Sequence, residues 1–249
     1  MTTLSIIVPA YNEEHRIGST LESIAAFAAS RAGDTEVIVV DDGSSDATAA
    51  AVAASSCPNL QIIRTERNMG KGHAVRVGML AAAGDLRLFT DADGSTPISE
   101  LARLEGELQR IGGSGVAFAS IAVAGADVAR MQSGLRPAAG RLGNWLIRLI
   151  ALPGVLDSQR GFKLFSANAA QAIFERSVVD RWAFDVETLA LARHLDLGIV
   201  EVPVRWAHKE DSRVTALSYV TTLADVIGLR WRLWRGAYDR IDVTADRPS

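Results

Sequence analysis

The chain has 249 residues, 48% hydrophobic and 22% charged, which is enough apolar material for one large packed domain or two small ones. Its net charge of −3 argues against a general nucleic-acid binder, and its single cysteine, Cys57, excludes an intrachain disulfide and fits a reducing compartment. No apolar run reaches the roughly 18 residues of a membrane span, and Met1-Thr2-Thr3 leads into an apolar stretch without the features of a secretory signal, so a cytoplasmic location is expected.

Leu4 to Val8 is a short apolar run before Pro9 and predicts a buried strand. Pro9-Ala10-Tyr11-Asn12-Glu13-Glu14 reads as a loop, and Ile17, Leu21, Ile24, Ala25 and Ala28 fall at helical spacing after it. Glu36 to Val40 is a second buried strand, ending in Asp41-Asp42-Gly43-Ser44-Ser45-Asp46. Ala47 to Ala54 follows as a helix that Ser44 or Ser45 can cap. Leu60 to Arg64 is a third strand, followed by Asn68-Met69-Gly70-Lys71-Gly72 and a helix over about 73–83. Leu86 to Thr90 is a fourth strand, and Asp91-Ala92-Asp93-Gly94-Ser95-Thr96-Pro97 is the loop at its end.

Strands alternating with helices predict βαβ units and a mostly parallel sheet flanked by helices, a Rossmann-like α/β fold. In such sheets ligands bind beyond the C-terminal strand ends. Tyr11, Glu13, Asp41, Asp42, Lys71, Asp91 and Asp93 all fall at those ends, so a nucleotide can lie across one edge. Asp91 and Asp93 offer hard oxygen ligands that suit Mg²⁺ or Mn²⁺ carrying substrate phosphates. Gly70-Lys71-Gly72 lacks the spacing of a P-loop, and no Gly-x-Gly-x-x-Gly follows the first strand, which argues against a nicotinamide dinucleotide site.

Pro9 to Glu14, Val39 to Asp46, Asn68 to Gly72 and Asp91-Ala92-Asp93, in this order, resemble the motifs of the family 2 glycosyltransferases of GT-A fold. The resemblance implies a nucleotide-sugar donor and a divalent metal held by Asp91 and Asp93. It implies that Pro9, Tyr11, Glu13 and Asp42 line the nucleotide pocket; Ala10, Asp41, Lys71, Asp91 and Ala92 complete the expected nucleotide-binding set. Asp157-Ser158-Gln159-Arg160-Gly161-Phe162-Lys163-Leu164-Phe165 and Arg181-Trp182-Ala183-Phe184-Asp185-Val186-Glu187 are similar to motifs of the dolichyl-phosphate β-glucosyltransferases. Those enzymes move glucose from UDP-glucose to a polyprenyl phosphate; the related mannose synthases use GDP-mannose. The resemblance spans roughly Leu4 to Asp239 and implies inversion at the anomeric carbon. Two positions depart from it. Arg160 stands where a small residue or cysteine is expected, and Phe118-Ala119-Ser120-Ile121-Ala122 stands where a Gly-Ser-Arg-like strand end is usual. The membrane-spanning segment typical of the family is also missing.

A lipid-phosphate acceptor agrees with the second half. Arg136, Arg141 and Arg148 alternate with Leu142, Trp145, Leu146, Leu149 and Ile150, and Leu217 to Tyr238 carries Trp231 and Trp234 beside Arg230, Arg232 and Arg235. Both segments predict amphipathic helices suited to a membrane surface, to the protein core or to a second subunit in a homodimer. A phosphomonoester is already anionic near neutrality, so it needs cations more than a general base. Arg136, Arg141, Arg205 and Arg213 are candidate acceptor-phosphate ligands. Lys163 is a further catalytic cation, and Asp157 is the candidate base or the partner of a neighbouring arginine. The expected organisation is a catalytic domain over 1–215, with a nucleotide-sugar half at 1–97 and an acceptor half at 98–215, followed by an amphipathic helix and tail over 216–249. The expected setting is the cytoplasmic face of a membrane, bound peripherally.

Two other classes compete. The Asp91 loop superficially resembles the Asp-x-Asp loop of haloacid-dehalogenase phosphohydrolases, but three βα units precede it and Ser95 stands where Thr or Val is usual. A silent sugar-binding or membrane-surface scaffold would not need both Asp91 and Asp93.

Overall fold

The computed structural model describes residues 3–128, 151–207 and 216–239. Seven strands form one sheet: β1 (Leu4–Ala10), β2 (Thr35–Asp41), β3 (Leu60–Arg64), β4 (Leu86–Thr90), β5 (Gly115–Ser120), β7 (Phe162–Ser166) and β8 (Gly198–Pro203), in the order β3-β2-β1-β4-β7-β5-β8. Two short strands, β6 (Asp127–Val128) and β9 (Arg205–Trp206), pair separately. The helices are α1 (Ile17–Ser30), α2 (Thr48–Ala53), α3 (Lys71–Ala81), α4 (Leu101–Arg110), α5 (Ala167–Phe174), α6 (Phe184–His194) and α7 (Ala216–Trp234).

The apolar runs read as buried strands are buried because helices cover both faces of the sheet. Successive residues alternate between two cores. Ile7, Ile38, Val40 and Phe89 face the side of α3, α5 and α6. Ile6, Val8, Val37, Val39 and Leu88 face the side of α1 and α4. β3 and β4 have the expected bounds, and β1 and β2 each run slightly longer than the apolar pattern. β3 differs in burial: it is an edge strand, and none of its five residues is fully buried.

β7 is the reversed member, antiparallel to both β4 and β5, while β1, β2, β3 and β4 run parallel and β8 runs parallel to β5. Reversal brings the entrance of β7, rather than its exit, to the edge where β1, β2 and β4 end. Thr90 at the end of β4 pairs with Phe162 at the start of β7, and Asp91 N–H donates to Gly161 O at 3.0 Å.

α7 lies against α6 and sends Val226 and Leu229 into the core. Tyr238, just beyond it, is buried and donates its hydroxyl to Glu187 Oε1 at 2.7 Å. The opposite side of the helix exposes Ile227, Trp231 and Trp234. The expected segment 136–152, all but its last two residues, lies outside the described residues, as do Arg136, Arg141 and the expected ligand Arg213.

Candidate active site

The sheet order changes direction between β1 and β4, and a cleft of about 480 Å³ opens there, beyond the strand ends. The β1 loop contributes Pro9, Ala10, Tyr11, Glu13 and Arg16 to its walls. Asp42, Asn68, Gly70 and Lys71 line one end, and Asp91, Ala92, Asp93, Ser95 and Thr96 line the middle. Gln159, Arg160, Gly161, Arg181, Trp182 and Trp206 complete the lining.

Much of the first two motifs fastens loops together. Asn12 N–H donates to Ser44 Oγ at 2.9 Å and Asn12 Oδ1 accepts from Ser45 N–H at 2.8 Å. Glu13 N–H donates to Thr48 Oγ1 at 2.7 Å, and Glu14 Oε2 accepts from Ala47 N–H at 2.8 Å. Ser44 and Ser45 are therefore occupied with the β1 loop rather than capping α2. Asp46 Oδ1 instead accepts the Thr48 N–H at 2.9 Å. This lock leaves Pro9, Ala10, Tyr11 and Glu13 on the cleft wall, with the Glu13 carboxylate gripping Arg16 at 2.7 and 2.9 Å.

The two aspartates at the end of β2 have different tasks. Asp42 lines the cleft and anchors the Asn68 loop, accepting Met69 N–H at 2.9 Å and Gly70 N–H at 2.8 Å. Asp41, expected against a nucleotide, is fully buried and stands outside the cleft lining. It closes the turn by accepting Ser44 N–H at 2.9 Å and lies 3.2 Å from Arg64 Nε.

Gly70 and Gly72 answer to close packing rather than phosphate cradling. A Cβ on either would lie 2.4 Å from the carbonyl oxygen of Asp180 or Val179, respectively. His73 N–H donates to Asp180 O at 3.1 Å, and Arg76 pairs with Asp180 at 2.7 Å. This seam sets Arg181 and Trp182 on the cleft, two residues whose motif was visible in sequence while their role was not.

The centre of the site is anionic. Lys71 Nζ sits 2.5 Å from Asp91 Oδ1, and its ammonium stacks over Phe89 and Trp182 at 5.2 and 5.5 Å. Burial opposes the Lys71 charge, but the fields of Asp91, Asp185 and Asp93 outweigh it and hold its pKa above the ordinary lysine value. Burial also lifts the Asp91 carboxyl above the usual carboxylate range; Asp93 and Asp185 push the same way against Lys71. Asp93 Oδ1 accepts Ser95 N–H at 2.8 Å, which fixes the loop, and Thr20 Oγ1 ties Ala92 O to α1 at 2.7 Å. Among the described residues no cluster of three or more acidic, histidine or cysteine side chains can hold a metal alone. Two carboxylates suit Mg²⁺ or Mn²⁺ when substrate phosphates complete the coordination, so the donor set fits an ion that arrives with its substrate.

Three residues expected as catalytic or phosphate-binding stand outside the cleft lining. Lys163 is buried on β7, where Nζ pairs with Asp185 and donates to Arg160 O at 2.6 Å; period-two alternation turns it into the core beside Phe89. Asp157 is also buried, and its Oδ2 accepts Arg160 Nε at 2.7 Å, so it orients that arginine. Arg205 pairs with Glu100 at 2.5 Å and contacts Ser99. Its strand neighbour Trp206 lines the cleft instead, a consequence of alternation along β9 that spacing could have signalled.

A mostly parallel α/β sheet with paired aspartates at the end of β4, beside a cleft of about 480 Å³, has the architecture of an α/β transferase. The family described as Glycosyl transferase family 2 matches residues 5–180, and the chain belongs to it. Its curated relatives include the dolichyl-phosphate beta-glucosyltransferase of Drosophila melanogaster, 40% identical over 85% of this chain and 69% of that protein. They also include the one of Homo sapiens, 33% identical over 94% and 77%. Among solved structures, a glucosyl-3-phosphoglycerate synthase from Mycobacterium tuberculosis, in complex with Mn²⁺, UDP and glucosyl-3-phosphoglycerate, superposes with a TM-score of 0.69. It is 22% identical and matches over 93% of this chain and 80% of that one. The fold is thus GT-A, and the chain is a glycosyltransferase.

Proposed function

We propose that the protein transfers glucose from UDP-glucose to a polyprenyl phosphate with inversion, giving a polyprenyl-phosphate β-glucoside. The observation that carries this reading is the cleft itself: Asp91 and Asp93, at the end of β4, share it with Asp42 at the end of β2 and with Arg160 at the entrance of β7. The curated relatives are named for this reaction.

The donor diphosphate would meet a Mg²⁺ or Mn²⁺ held by Asp93 and Asp91. Held there, such an ion would offset the charge on the departing nucleoside diphosphate. Asp93 is the chief ligand in this reading, because Lys71 already pairs with Asp91. Lys71 holds the Asp91 carboxylate in place and supplies positive charge to the same diphosphate. The acceptor phosphate, anionic at neutral pH, attacks without a protein base, which agrees with Asp157 being tied to Arg160. The chain divides functionally into a donor half over 1–97 and an acceptor half over 98–215.

The acceptor's polyprenyl tail stays in the bilayer, since each buried CH₂ is worth about 0.8 kcal/mol. No helix among the described residues is long and apolar enough to cross a membrane. In this reading the protein meets the lipid at a cytoplasmic membrane face through Ile227, Trp231 and Trp234, exposed on α7. Arg232, read from sequence as part of this surface, is half-buried and acts on the Glu187–Tyr238 pair instead. Arg230 is exposed, and Arg235 stacks on Trp231 at 4.0 Å.

The test is a panel of UDP-glucose, GDP-mannose and other nucleotide sugars with Mg²⁺ or Mn²⁺ and a short polyprenyl phosphate, analysed for lipid-linked sugar. β-Linked glucose from UDP-glucose is the expected product. Transfer from GDP-mannose alone would move the protein to the mannose synthases, and phosphate release from simple monoesters would point to a phosphohydrolase.

A further inference from the structure

Four cations line the cleft, and they differ in what holds them. Arg16 is clamped by Glu13 and Lys71 by Asp91. Arg181 is exposed and belongs to the seam against Gly70, at the nucleotide end. Arg160 is held from three directions. Asp157 Oδ2 accepts its Nε at 2.7 Å. Its guanidinium carbon lies 4.9 Å over the Trp206 ring. Its carbonyl oxygen accepts the buried Lys163 ammonium at 2.6 Å. Among the described residues, its Nε alone of the guanidinium nitrogens has a hydrogen-bond partner.

An arginine carries five N–H donors in a rigid fork that matches phosphate oxygens two at a time. Here one donor is spent on orientation, and the side chain remains 27% exposed at the cleft. Its orienting carboxylate is itself fixed: Asp157 is buried, and its own N–H donates to Glu201 Oε1 at 2.8 Å. Fixing a fork before its ligand arrives lowers the ordering cost of binding. Position then selects the ligand. The β2 end carrying Asp42 and the β7 entrance carrying Arg160 are separated by β1 and β4. Three strand spacings are roughly 14 Å, which places Arg160 past the Asp91–Asp93 centre and away from the nucleotide end.

We infer that Arg160 is the residue that receives the acceptor's phosphate, with Asp157 and Trp206 as its positioning residues. This rests on the proposed transfer to a phosphate-bearing acceptor. Ile121 sits at the end of β5, where the resemblance leads one to expect an arginine, and its backbone N–H donates to the same Asp157 oxygen at 3.4 Å. One carboxylate oxygen thus joins the end of β5 to Arg160.

The experiment uses the full chain with UDP-glucose and a ten-carbon polyprenyl phosphate, comparing wild type with Arg160→Gln, Arg160→Lys and Trp206→Leu. For Arg160→Gln the acceptor KM is expected to rise at least tenfold more than the donor KM, a difference of about 1.4 kcal/mol. Arg160→Lys, which keeps the charge and loses the fork, should fall between the two. Trp206→Leu should raise the acceptor KM a few-fold. Equal changes in the two KM values, or a rise confined to the donor KM, would overturn the inference. So would a loss of activity in Arg160→Gln that only follows its melting temperature. If Arg160→Gln does not fold, Arg160→Lys is decisive, and an acceptor KM equal to wild type sinks the assignment. Absence of any transfer by the wild-type protein would instead strike the proposed function itself.

Discussion

Gly161 and Asp91 share space that only a hydrogen atom can fill: a Cβ on Gly161 would lie 2.0 Å from Asp91 Oδ2. The same two residues are joined by the 3.0 Å bond from Asp91 N–H to Gly161 O. The Asp91 carboxylate can rotate away from an added methyl, but only by leaving Lys71. Gly161→Ala is therefore expected to cost activity more than stability. Transfer should fall about 100-fold or more, while the unfolding free energy drops by only about 1–3 kcal/mol, the usual cost of overpacking. Steady-state kinetics beside urea denaturation checks this; full activity would mean that Asp91 need not stay where it is.

Asp93→Asn removes one negative charge and keeps the shape that accepts Ser95 N–H. Transfer should fall by about 100-fold or more, with an unchanged melting temperature and weakened Mn²⁺ binding by paramagnetic resonance. Wild-type turnover in saturating metal would remove Asp93 from the metal site.

Lys163 and Asp185 form a buried pair in which neither charge reaches water. Lys163→Met strands the Asp185 carboxylate and should destabilise the protein by about 3–5 kcal/mol. A further Asp185→Leu change should restore much of that stability, because an apolar pair of similar size removes the desolvation penalty. A single variant as stable as wild type in urea would show that Lys163 is dispensable to the fold.

Glu187 gives a pH dependence of definite sign. Burial lifts its carboxyl above the ordinary 4.5, against the pull of the Tyr238 hydroxyl and the Val178 and Val179 N–H groups. The folded protein thus binds this proton more tightly than the unfolded chain. Its contribution is present below about pH 4.5 and is lost as pH rises through the raised folded value. Glu187→Gln does not titrate. The stability of wild type relative to this variant should decline from pH 4.5 upward, by at most about 1.4 kcal/mol per pH unit. A pH-independent difference in urea midpoints would contradict it.

Much of this could be read in the sequence because continuous apolar runs name strands covered on both faces, and carboxylates after such runs name the edge where ligands bind. Asp91, Asp93, Lys71 and the Pro9 to Glu13 wall followed from that logic. The reversal of β7 did not, since Phe162 to Ser166 is as apolar as any parallel strand. Without that reversal, Lys163 looks like an active-site cation. Nor could spacing show that Gly70 and Gly72 admit the Val179 and Asp180 carbonyls, because the partner lies in another part of the chain. Arg205 and Trp206 illustrate the finest grain: one residue of register decides which faces the cleft.

The apolar side of α7 offers a test of membrane attachment. Trp231 and Trp234 are 52% and 80% exposed, so replacing both with Ser should change stability by no more than about 0.5 kcal/mol each. With Arg230→Gln added, sedimentation with anionic vesicles should drop, and transfer to a long-chain acceptor should slow more than donor hydrolysis. Unaltered vesicle binding would move the contact elsewhere.

The seam between α3 and the Asp180 segment also bears on how the protein is made. Arg76 and Asp180 are 104 positions apart, yet their ion pair closes the seam beside which Arg181 and Trp182 line the cleft. Contacts of such long range form slowly, since a large loop must close before they contribute. On the ribosome, β1 to β4 can emerge and begin to pair with both aspartates already in place. The cleft lacks its second wall until synthesis has passed α6. A nascent chain halted before that point would display an acidic, half-built edge, and donor-binding competence should arise abruptly with the residues around Arg181 rather than growing with length.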